Sequence, residues 1–125
     1  MLVDAMQGIL DMIKALGLYA APEVGAAPPG NSIGMYFLPG TPGEYHDRTR
    51  HDGYLLTVNV KHIDQKTAIN AGERILTRLT ARGTVYPPGI DSIRVSTPLS
   101  YVDREEQGAY IFTAVYEVFT TMKGR

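Results

Sequence analysis

The chain has 125 residues, 44% hydrophobic and 20% charged, with a formal net charge of −1 and no cysteine. A single domain spanning 1–125 is expected, with a modest but sufficient core. Near-neutral charge argues against a general attraction to nucleic acid or anionic lipid. The lack of cysteine excludes disulfides, thiolate metal sites and a thiol nucleophile, and is compatible with assembly in a reducing cytosol.

Val3 to Leu16 reads as an amphipathic helix. Met6, Ile9, Leu10, Ile13 and Leu16 recur at helical spacing, with Asp4, Asp11 and Lys14 opposite. Those charges also interrupt the stretch as a signal-peptide core or membrane span, so no membrane partner is expected. Gly17 is a natural stop. Tyr19 to Asn31 holds Pro22, Gly25, Pro28, Pro29 and Gly30 and is expected to be irregular. Ile33 to Leu38 is a short strand with Ile33, Met35 and Phe37 on one face. Pro39 to Gly53 reads as a fifteen-residue loop with Pro39, Gly40, Pro42 and Gly43; loops of this length are usually functional or mobile.

Tyr54 to Ile63 is a strong strand, with Leu56, Val58 and Val60 facing one way and Thr57, Asn59 and Lys61 the other. Asp64 suits an N-cap, its carboxylate placed to accept from the first backbone amides. A helix then runs to about Arg82, burying Ala68, Ala71, Gly72, Ile75, Leu76 and Leu79. Gly83 and Pro87-Pro88-Gly89 end it. Ile90 to Thr121 closes the chain as one long hairpin. Ile93, Val95, Thr97, Leu99 and Tyr101 alternate with polar residues, a charged tip runs from Asp103 to Gly108, and a second run alternates Tyr110, Phe112, Ala114, Tyr116 and Val118 with Ile111, Thr113, Val115, Glu117 and Phe119. Pro98 cannot donate to a ladder, which places its strand at an edge or in a bulge.

The expected fold is therefore α+β: a mostly antiparallel four-stranded sheet with two helices on one face and a long C-terminal β-hairpin. The face of the last strand carrying Ile111, Val115 and Phe119 lacks an obvious cover within so short a chain. A neighbouring subunit is the simplest one.

No constellation demands chemistry. Glu44-Tyr45-His46-Asp47-Arg48-Thr49-Arg50-His51-Asp52 holds two histidines and three carboxylates, and a small metal-dependent or acid–base enzyme would have to be built there. His46 and His51 lack a metal-binding spacing, and a solvated, charge-balanced loop is the simpler reading. Ser32, Ser92, Ser96 and Ser100 lack a nucleophile-elbow context. No phosphate-binding glycine motif occurs between Gly34 and Gly43. His62 reads as a packing or capping residue, and the tyrosines as strand packing rather than a base-stacking platform. A basic row, Lys66, Asn70, Arg74, Arg78 and Arg82, climbs the second helix in steps of four, drifting about 40° each. It reads as a solvent face or as a docking ridge for an acidic neighbour, and the tip with Asp103, Glu105 and Glu106 is such a surface.

The closing segment also carries a family likeness. Ser92-Ile93, Thr97-Pro98-Leu99-Ser100-Tyr101-Val102, the turn Asp103-Arg104-Glu105-Glu106-Gln107-Gly108 and the final strand Tyr110 to Val118 resemble the tail terminator and minor capsid (head–tail joining) proteins of long-tailed bacteriophages. Glu73-Arg74-Ile75 and the opening amphipathic helix fit as well, while Pro39 to Gly53 corresponds least. The likeness is architectural rather than chemical. It implies an α+β subunit of a homo-hexameric ring, with no enzymatic activity and no cofactor. The ring would sit on the last ring of tail-tube protein and meet the head-side connector or stopper protein. Genomic DNA would pass through its hole with transient, non-specific contact. Localisation would be the virion tail or neck, after assembly in the host cytoplasm. Candidate subunit-interface residues are Arg74, Arg78, Arg82, Asp103, Glu105, Glu106, Ile111, Val115 and Phe119. Candidate contacts to an axial partner are Glu44, Tyr45, His46, Asp47, Arg48, Arg50 and His51. A neck stopper or tail-completion protein is the neighbouring structural reading, and a ligand-binding or regulatory α+β domain a third.

Overall fold

A computed structural model describes residues 2–25, 28–43, 49–87 and 89–123. In chain order the elements are α1 (Leu2–Lys14), β1 (Pro22–Val24), β2 (Ser32–Gly43), β3 (Thr49–His62), α2 (Gln65–Thr80), β4 (Ile90–Arg104) and β5 (Tyr110–Lys123). They form an α+β fold with one five-stranded mixed sheet in the order β1-β2-β3-β5-β4. All pairings are antiparallel except β1 on β2.

Two expectations need correction. The sheet has five strands rather than four, because Pro22–Val24 pairs in parallel with Ile33–Met35. Its signal is hidden by shortness and by proline, which sits at the first strand position where a missing N–H costs least. The second correction is larger. The described ends of the Pro39 to Gly53 segment are strand rather than loop: Pro39–Gly43 continue β2 and Thr49–Gly53 open β3, paired as Pro39↔Tyr54, Pro42↔Asp52 and Gly43↔His51. The other side of this part of β3 pairs with β5, from Thr49↔Lys123 to Gly53↔Phe119. The prolines are tolerated because β1 covers β2 only as far as Met35, so Pro39 and Pro42 lie on an edge, with a register shift between them. Residues 44–48 lie outside the described residues.

Strand alternation builds the core. Leu56, Val58 and Val60 of β3 stand beside Tyr116, Ala114 and Phe112 of β5 and beside Phe37, Met35 and Ile33 of β2. Both helices lie against this face. Ile9, Met12 and Ile13 of α1 and Ala68, Ala71, Ile75 and Leu79 of α2 are buried with it. Fully burying one such aliphatic side chain contributes about 1.5–3 kcal/mol. Two glycines set the helix positions. A Cβ on Gly72 would lie 2.6 Å from a Leu99 methyl, and one on Gly8 would lie 2.6 Å from the Pro87 ring. Glycine lets β4 approach α2, and lets α1 approach the segment entering β4.

The ends of α2 differ from expectation in detail. Asp64 takes the N-cap position with extended backbone, and its carboxylate accepts from the Thr67 hydroxyl at 2.6 Å without a regular side-chain cap bond. The Thr67 bond is the main cause that lowers its pKa, and the Lys66 and Thr67 amides lie near enough to help. The helix ends at Thr80, so Arg82 lies in the following turn, which Gly83 closes at φ 82°. The Tyr86 hydroxyl donates to the Leu79 carbonyl at 2.6 Å and satisfies one of the last free helix acceptors. Among the described residues, no helix is long and apolar enough to cross a membrane.

Candidate assembly surfaces

Only Ile63 and Asp64 separate β3 from α2, which runs back along the sheet so that Gly72 at its middle meets Leu99 of β4, and the molecule has two distinct ends. One end gathers His62, the start of α2, and the β4–β5 turn, fixed by the pairs His62↔Tyr110 and Arg104↔Tyr110. The other gathers the end of α2 and the start of β4, where Ile90 pairs with Thr120.

At the first end a polar knot holds the turn. Glu105 N donates to the Ala109 carbonyl and Gly108 N to the Glu105 carbonyl, each at 2.8 Å. The Glu105 carboxylate faces inward. It accepts from Lys61 Nζ at 2.8 Å and from the Gly30 amide at 2.9 Å. Lys61 is only 7% exposed, and a buried ammonium needs such a partner. The Lys61 bond, then the Gly30 bond, hold the Glu105 carboxyl below its usual 4.5. Tyr19 adds to the knot, its hydroxyl lying 2.9 Å from the Ser32 carbonyl and 2.8 Å from the Lys61 carbonyl. Burial is the main cause that pushes this phenol up to about 12. His62 does what a packing and capping residue does. Its Nδ1 accepts from Asp64 N at 2.9 Å, and its ring meets Tyr19 edge-on at 4.7 Å.

The tip therefore divides. Glu105 is committed within its own chain, whereas Asp103 and Glu106 are exposed. Asp103 accepts from the neighbouring Arg104 amide. Arg104 lies over the Tyr110 ring at 4.9 Å and donates weakly to the Gly108 carbonyl at 3.3 Å. The Lys61–Glu105–Gly30 link joins residues far apart in sequence and has no local pattern. The sequence carries no signal for it, since Lys61 falls with Thr57 and Asn59 in the set facing away from Leu56, Val58 and Val60.

The basic row lies on the outward side of α2. Lys66, Asn70 and Arg74 are exposed and Arg78 is half-buried. Arg74 donates to the Leu16 carbonyl beyond the end of α1 at 2.9 Å. Leu16, Asn70, Glu73, Arg74, Thr77 and Arg78 line an open groove of about 360 Å³ between that carbonyl and α2. No described carboxylate forms a salt bridge with Lys66, Arg74, Arg78 or Arg82.

The sheet face opposite the helices carries Ile111, Thr113, Val115, Glu117 and Phe119 of β5, all half-buried. Arg94 of β4 lies across the Phe119 ring at 4.9 Å, and Thr113 donates to the Asn59 side chain at 2.5 Å. β4 is an edge strand, as Pro98 indicated, with register shifts on both sides of Thr97. Proline and bulges blunt an edge against indiscriminate pairing. Of the axial-partner candidates, Glu44, Tyr45, His46, Asp47 and Arg48 lie outside the described residues. Arg50 and His51 belong to β3, with their side chains outside the description. Among the described residues no group of three His, Cys, Asp or Glu side chains is placed to hold a metal.

The architecture is that of an α+β unit presenting one helix-covered and one open sheet face. The fold is similar to a chain in the solved structure of the virion of a native gene transfer agent (GTA) particle. The TM-score is 0.55 at 14% sequence identity, covering 93% of each chain. No protein-family model matches the chain, and no curated relative matches it.

Proposed function

We propose that the chain is a non-enzymatic structural protein of a phage-like virion. It would act as a subunit of a hexameric ring that caps the tail tube and joins it to the head-side connector, with DNA passing through the central channel. The observation that carries this reading is the shared fold with a virion component over 93% of both chains. That comparison of folds supports the particle role suggested by the resemblance of the Ser92 to Val118 segment. The ring, its place at the head–tail junction and its partners rest on that resemblance. The sheet face bearing Ile111, Val115 and Phe119 gives a second chain an apolar surface to cover. Partners would be other copies of the chain, the tail-tube protein and the connector or stopper.

The role is tested by removing the protein from the particles that contain it and imaging the products. Filled heads and tails that fail to join, rescued by the wild-type chain, are expected. Normally joined particles without the protein would sink the reading. Restored joining by a chain whose purified form never exceeds a monomer would sink the ring while leaving a virion role.

A further inference from the structure

We propose that copies of this chain dock head-to-tail, with the acidic β4–β5 turn of one copy seated against the arginine groove on α2 of the next. This rests on the ring reading above and names the contact by which the ring would form. The occupant is a second copy because the chain carries both halves of a charge-complementary pair, which it cannot bring together itself. Asp103 and Glu106 lie at the end of the molecule where α2 begins, and Asp64 adds a third exposed carboxylate there. Arg78 lines the groove near the far end of α2, whose 16 residues span about 24 Å, and Arg82 stands in the turn just beyond that end.

The neighbouring groups refine the match. At the acidic end Arg104 is engaged with Tyr110 and Gly108, Glu105 is neutralised by Lys61, and among the described residues Lys66 is a further exposed cation. At the basic end Glu73 lines the groove with Arg74 and Arg78, and no described carboxylate pairs with the arginines. Opposite-signed patches at opposite ends make a heterologous contact. It repeats in one sense and closes into a ring when the rotation allows. The Lys61–Glu105–Gly30 link fixes the turn in place before contact, which lowers the ordering cost of docking.

The test uses two full-length variants, Arg78→Glu/Arg82→Glu and Asp103→Lys/Glu106→Lys, studied by analytical ultracentrifugation. Each alone should weaken self-association at least about tenfold, because like charges then face each other. Mixing them in equal amounts should restore it, since each reversed patch meets a complementary one on the other variant. Wild-type association should also weaken as salt rises. Restoration on mixing excludes misfolding as the cause of the loss. Unchanged association of the single variants, failure to restore on mixing, or a wild-type monomer at all concentrations would each overturn the contact. Binding of duplex DNA that is lost in Arg78→Glu/Arg82→Glu, without self-association, would assign the groove to another occupant and overturn it too. A virion role established by particle imaging would survive any of these outcomes.

Discussion

The two faces of β5 teach different lessons from the same alternation. Phe112, Ala114, Tyr116 and Val118 are buried under the helices, while Ile111, Thr113, Val115, Glu117 and Phe119 stay half-buried on the open side. The first set answers to the chain's own core, and the second stays partly open to solvent. The sharpest way to break this comparison starts on the buried face. Leu56→Ala, at a fully buried position beside Tyr116, should cost about 2–5 kcal/mol in chemical denaturation. A loss well under 1 kcal/mol would mean that the helix-covered face is not the core.

The next effect concerns how closely the helices approach. Gly8→Ala would drive a methyl into the Pro87 ring at 2.6 Å. A proline ring cannot rotate aside, so about 1–3 kcal/mol of destabilisation is expected. Gly72→Ala meets Leu99 methyls at a similar distance, but a leucine can change rotamer, and alanine gains helix propensity. The loss there should be clearly smaller. Equal losses at the two sites, read from melting curves, would contradict this ranking.

A smaller, pH-dependent effect belongs to the knot at the acidic end. Glu105→Gln keeps an acceptor for Gly30 but removes the charge facing Lys61, and should cost about 1 kcal/mol at neutral pH. The Glu105 carboxyl is held below its usual 4.5 in the fold. Its stabilisation is therefore complete above that unfolded value and is lost as pH falls through the lower, folded one. The melting-temperature gap between wild type and variant should narrow steadily below about pH 4.5. Asp64, also lowered, is common to both proteins and cancels in the difference. A gap independent of pH would show that the link contributes packing rather than charge.

What could be read from the sequence followed local periodicity. Both helices, the 54–63 strand and the closing hairpin with its edge position were legible because their apolar spacing is unambiguous. The Pro39–Gly53 segment was misread because glycine and proline signal loops, whereas here the prolines sit on an edge that β1 leaves open. β1 was invisible because three residues carry no period. The division of the tip was hidden for another reason. Asp103, Glu105 and Glu106 look alike in sequence, and only the tertiary approach of Lys61 and Gly30 makes Glu105 internal. The arginines of α2 were legible as a row, but not the groove that Leu16 completes.

The smallest stability effect is the most informative about the open face. Val115 pairs across the sheet with Thr57 and Thr97, and its side chain is half-buried. Val115→Thr keeps the β-branched shape and the strand preference, and exchanges a methyl for a hydroxyl that water or a neighbouring threonine can satisfy. In the isolated chain this should cost about 1 kcal/mol or less. If a second copy or a virion partner covers the face, the same hydroxyl is buried without a matched acceptor on the partner, and association suffers more than folding does. Denaturation and sedimentation measured on the one variant therefore separate the two duties of β5. A stability loss as large as that of Leu56→Ala would make the open face part of the core. Unchanged folding and unchanged association would leave it as ordinary solvent-facing sheet.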